Sequence, residues 1–115
     1  MSKEELFREI ELLCMVVFKY ECDKSEGIKG YSGKMRTYAH TAFIVAVHGL
    51  GIRLQSISDY LGCSLSNTTR LRLAYKARLQ KDGTFSALMS DFNEKLRAWE
   101  KKNTTKKKSC KKDGR

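Results

Sequence analysis

The chain has no proline in its 115 residues. No helix in it need be kinked by a ring, no polyproline spacer can form, and helices should run until a glycine or a cap stops them. Metal and redox spacings are missing too. The four cysteines, at 14, 22, 63 and 110, make no CxxC pair and have no histidine at ligand spacing. That argues against a zinc site or a disulfide framework, and for free thiols in a reducing compartment, one of them (Cys14) buried in the first helix. His40 and His48 lie eight residues apart without partners at workable spacing, which makes them packing or surface residues. The longest apolar run, Leu12 to Phe18, is about half a membrane span and has charge on both sides. With no secretory leader recognisable before it, a membrane is not expected and a cytoplasmic location is. Paired carboxylates in an apolar setting, a nucleophile beside a base and a Gly-rich phosphate loop are all absent. An enzyme is thus the least expected class, and no cofactor or metal is called for.

Acid is scarce where base is plentiful. The net charge is +10, but residues 1–27 carry four basic and seven acidic side chains, while residues 28–82 carry nine basic ones against Asp59 and Asp82. The closing segment 101–115 holds eight more cations and a single acid. Such a distribution points to a polyanionic partner.

The apolar residues recur at three- and four-residue steps with little strand-like alternation, so the fold class is all-α, with about five helices in one domain over 1–102. Ser2 and Glu5 form a capping box ahead of a helix from about Lys3 to about Glu21, with an apolar stripe of Leu6, Ile10, Leu13, Val17 and Tyr20 that Leu12, Met15, Val16 and Phe18 widen. Residues 23–33 hold three glycines and read as a loop. A second long helix follows, opened by Lys34 and Arg36 and ended by Gly49 and Gly51. Its face of Tyr38, Ala39, Ala42, Phe43, Ala46 and Val47 suits a central position in the core.

The stretch from Leu54 to Leu79 has the form of a helix-turn-helix. Leu54, Ile57 and Leu61 mark a short helix, and Gly62 suits the left-handed position after it. Ser64, Ser66 or Asn67 then caps a second helix reaching about Gln80, whose charges are all positive. Two phases fit its pattern, one burying Leu73 and Ala77, the other Leu71, Ala74 and Tyr75. Asp82-Gly83 breaks it, Thr84 is a plausible next cap, and Phe85, Leu88, Met89, Phe92, Leu96 and Trp99 form a last apolar stripe to about Lys101. The basic tail 103–115 has no apolar periodicity and is expected to be disordered.

A helix that enters the major groove needs polar side chains at its start to reach base edges and cations on its flank to hold phosphates. Ser64, Ser66, Asn67, Thr68, Thr69 and Arg70 supply the first. Arg72 and Lys76, with Lys34 and Arg36, supply the second. Asn67 suits adenine and Arg70 guanine.

Over residues 6–95 the order of features resembles the C-terminal DNA-binding domain of the bacterial replication initiator DnaA, whose fold is related to that of the Trp repressor. The resemblance is carried by the basic loop GKMR (33–36), the Ala-rich YAHTAFIVAVHGLG and the following IRLQSISDYLG. The family's recognition helix opens with Asp-His-Ser/Thr-Thr and then an aliphatic residue. Here Thr68 and Thr69 match, while Ser66, Asn67 and Arg70 stand at the other places. The resemblance therefore implies a shared scaffold with different base reading: a stand-alone DNA-binding domain, phage-borne or regulatory, without the initiator's nucleotide-hydrolysing domain.

Double-stranded DNA is the expected partner. The rival from another class is a helical protein-interaction module whose basic face docks an acidic protein. RNA ranks below both, because Tyr75 is almost the only aromatic among the cations. No coiled-coil heptads mark a dimer, and a homodimer on spaced half-sites stays open.

Overall fold

The computed structural model describes residues 2–19 and 24–113, with side chains at 2–19 and 27–103. Five α-helices are present and no strand occurs among the described residues. They are α1 (Lys3–Val17), α2 (Gly33–Gly49), α3 (Leu54–Leu61), α4 (Leu65–Lys81) and α5 (Gly83–Asp113), with 3₁₀ turns over Lys24–Gly30.

Helix α1 starts on the expected capping box. The Glu5 amide donates to the Ser2 hydroxyl (3.2 Å) and the Ser2 amide to the Glu5 carboxylate (2.9 Å). The helix stops at Val17, four residues before the expected end, because Phe18 leaves helical geometry and its ring turns into the core. The expected end at Tyr20 and Glu21 lies outside the described residues.

What the sequence suggested was a plain loop is in part 3₁₀ turns that pin α1 to its neighbours. Glu11, on α1, accepts the Ile28 amide at 2.9 Å and the Tyr60 hydroxyl from α3. Gly27 has φ 63°, where a side chain is strained, and a Cβ there would sit 2.0 Å from the Glu11 carboxylate and push it aside from its bonds. Ile28 and Tyr31 are buried, and the Tyr31 hydroxyl donates to the Phe18 carbonyl at 2.6 Å.

Helix α2 is the centre. Every residue of its expected face is buried, and His40, Thr41 and Ile44 are buried as well, so it is covered on nearly all sides by the other helices. Phe7, Phe43 and Tyr60 form a three-ring group joining α1, α2 and α3, with centroids 4.6–5.9 Å apart. Tyr38, Tyr75 and Phe85 join α2, α4 and α5 in the same way. Each large apolar side chain enclosed here contributes roughly 1.5–3 kcal/mol. These rings fix where α4 stands.

Helix α5 begins on a different cap from the expected one. The Asp82 carboxylate accepts the Phe85 amide at 3.1 Å and the Tyr38 hydroxyl, so Asp82, and not Thr84, caps the helix and also ties it to α2. The buried stripe is Phe85, Met89 and Phe92, with Leu88, Leu96 and Trp99 packed at its border. The backbone helix then runs past Lys101 to Asp113, where a disordered tail was expected. No proline or glycine interrupts the sequence from 84 to 113, and extending an existing helix is far easier than starting one.

Candidate nucleic-acid interface

The short helix α3 and the start of α4 are held at a set relation by a turn and a polar knot. Gly62 takes the left-handed conformation (φ 72°) after Leu61, and its amide and that of Cys63 both return to the Ser58 carbonyl, at 2.9 and 3.1 Å. Ser64 then caps α4, its hydroxyl accepting the Asn67 amide at 3.1 Å. Between the helices the Ser58 hydroxyl donates to Thr68 Oγ1 (2.7 Å), which itself donates to the Ser64 carbonyl (3.1 Å). The Cys63 sulfur lies 3.5 Å from the same oxygen. Ser58 and Thr68 are fully buried.

That burial takes Thr68 out of the set of base-reading residues. Its hydroxyl is spent inside the turn, and it braces α4 in place of touching a ligand. The same phase settles the orientation of α4. Thr68 and Leu71 face inward with Tyr75 packed behind them, while Leu73 is 67% exposed, so the phase through Leu71 is the one the fold adopts.

On the outer side stand Ser64, Ser66 and Arg70, all exposed, with Asn67 and Thr69 half-buried. Arg70 donates to the Asn67 side-chain oxygen, one turn back along the helix. Asn67 thus orients the arginine and gives up part of the acceptor capacity that an adenine contact would need. Ser66, Thr69 and Arg70 line one shallow groove with Leu65, Leu73 and Ala74.

The flanking cations divide into two groups. Arg72 and Lys76 line a groove against the C-terminal end of α2, with His48 and Tyr75. Lys34, from the opposite end of α2, lines another with Arg78 and Lys81. Helices α2 and α4 therefore run antiparallel at this face, and cations border α4 along its length. Arg36 is not among them. It follows Lys34 by two residues, about 200° round the helix, and its charge bears on His40.

The sequence reading had Lys34 in the site but passed over Arg78 and Lys81. Their signal was present: Leu65–Lys81 contains five cations and no acid. None of the five is ion-paired with a described residue, and the Nε atoms of Arg72 and Arg78 are buried without a hydrogen-bond partner. The nearby carboxylate of Asp82 is held below its ordinary range by its bonds to Tyr38 and the Phe85 amide, and by Lys34.

Away from this face, His40 is buried and packed, while His48, in the groove beside Arg72 and Lys76, is exposed with Nδ1 3.1 Å from the Ile52 carbonyl. No group of three His, Cys, Asp or Glu among the described residues could hold a metal ion, and no described helix is long and apolar enough to cross a membrane. Comparison with family models, with curated proteins and with solved structures returned no match.

Proposed function

We propose that this chain binds double-stranded DNA with α4 in the major groove. The observation that carries the reading is a helix of five cations and no acid, braced from behind by α3 through a buried polar knot, with its polar N-terminal side chains facing out. A helix so charged, without ion-pair partners among the described residues, gains most from a polyanion whose counterions it releases. Arg70, steadied by Asn67, is suited to the O6/N7 edge of guanine, with Ser66 and Thr69 beside it. Arg72 and Lys76 on one flank, and Lys34, Arg78 and Lys81 on the other, would hold the phosphates of the two strands. The proposal carries forward the resemblance of the sequence to the initiator's DNA-binding domain and to a Trp-repressor-like arrangement. In this reading the chain is a non-enzymatic replication or transcription regulator working in the cytoplasm without a cofactor, alone or as a homodimer on spaced half-sites.

Selection from a randomised duplex pool tests it. A consensus should emerge from the native chain, and Arg70→Ala should cost about 1–3 kcal/mol and relax one position of it. Neutralising Arg70, Arg72 and Lys76 together without loss of binding would refute the placement. Such a result, with an acidic protein retained instead, would favour the docking module.

A further inference from the structure

Four large apolar side chains are exposed among the described residues, and two of them, Leu65 (43%) and Leu73 (67%), stand on the outer face of α4. The core does not account for them, since Thr68 and Leu71 fill the inward positions of this helix. Phosphate binding does not account for them either, because a leucine side chain has neither charge nor hydrogen-bond donor to offer a phosphate. With Thr69 they fall at four-residue steps, which places two leucines and a threonine on one stripe. The stripe extends over roughly 12 Å of helix axis. Arg70 shares the groove that holds it, and Arg72 and Lys76 border Leu73 on the other side.

We infer that this stripe reads thymine methyl groups, so that the preferred DNA site carries thymines at two steps on the floor of the groove. The inference rests on the DNA-binding reading and specifies its ligand. An apolar line with cations on both sides complements a surface that is anionic at its rims and apolar at points on its floor. The major groove has that form, and the thymine C5-methyl is the apolar group its base edges present. A docked protein is the weaker fit. Two leucines in a band of arginine, lysine and serine make little of the roughly 800 Å² per partner that a stable protein interface buries.

The test starts from a duplex selected by the native chain and replaces its thymines with deoxyuridine one at a time, which removes a methyl and leaves the base pairing. At one or two thymines the native chain should lose affinity about four-fold, the worth of one buried methyl. Leu73→Ala should bind more weakly yet become indifferent to the methyl at one of these positions, and Leu65→Ala at the other. Both leucines are exposed, so the variants should fold, and an unchanged circular dichroism melt verifies it. A consensus whose thymines can all be replaced without loss overturns the inference and leaves the DNA reading standing. So does a methyl dependence that survives both leucine substitutions. Failure to recover any consensus overturns both, and loss of an acidic protein partner on Leu73→Ala would show what the stripe meets instead.

Discussion

Thr68 illustrates how a single residue type serves three purposes that a sequence cannot separate. A threonine at the start of a basic helix can cap it, touch a base or close a buried network. Here it closes the network, accepting from Ser58 and donating to the Ser64 carbonyl in full burial. Valine at this position keeps the shape and strands the Ser58 hydroxyl, so Thr68→Val should cost about 1–3 kcal/mol in chemical denaturation. The double variant with Ser58→Ala should recover part of that loss, and a strictly additive cycle would show that the two hydroxyls are not coupled. His40 offers a second test at this scale. Its Nε2 lies 2.8 Å from the Ile28 carbonyl, which can only accept, so Nε2 carries the proton and the buried, unpartnered Nδ1 carries the lone pair. A second proton would be enclosed without an acceptor. Burial accordingly lowers the His40 pKa from 6.5; Arg36 acts in the same direction, while the Ile28 bond and Glu11 oppose it. The unfolded chain therefore binds the proton more readily, and stability present above about pH 6.5 should drain away as the pH falls toward the lower folded-state value. His40→Gln keeps a donor near Ile28 and cannot titrate, so its stability curve should be flatter across that window. An unchanged slope would assign the acid sensitivity to other groups.

At the scale of the elements, periodicity made most of the helices legible, and local chemistry set where they end. The α2 face, the Gly62 turn and the α5 stripe were all readable because apolar spacing and a left-handed glycine are local signals. The end of α1 was not, because Phe18 breaks off to fill a space made by Tyr31 and by Phe92 from α5, distant residues that the local pattern does not name. The phase of α4 was open for a similar reason. Alternating Arg and Leu satisfies two faces equally, and tertiary contacts, the Ser58–Thr68 pairing with α3 and the Tyr75–Phe85 contact with α5, select one. Once that phase is set, the helix has a definite outer side, and the role proposed for Lys76 follows from its place on the flank. Lys76→Ala should weaken binding to every duplex by a similar factor and reduce the slope of log affinity against log salt by about one unit. A change confined to one base preference would instead move Lys76 onto the groove floor.

Across the whole molecule, charge is segregated along with structure. The acidic first segment builds α1, whose Glu11 holds the 3₁₀ turns and α3, and whose Glu9 accepts the Trp99 indole N–H of α5 at 3.2 Å. The α1 carboxylates serve as fastenings or face water, while in the sequence the cations gather on α4 and beyond residue 100. The two basic regions should act differently. The cations of α4 stand on an element fixed by α2, α3 and α5, so in the proposed function they would meet a duplex in one register. Those after residue 102 follow the core stripe in sequence and lie outside the proposed recognition helix, so in the proposed function they would add attraction for phosphate without reading sequence. Removal of 103–115 takes away six cations and one acid. The shortened chain should bind more weakly at low salt and with a shallower salt dependence, by up to about 0.9 in slope for each phosphate that the tail would have neutralised. Its selected consensus and its ratio of specific to random binding should stay as they were. If the consensus itself disappears with the tail, recognition does not reside in α4, and the basic face of the bundle is left with phosphate attraction alone.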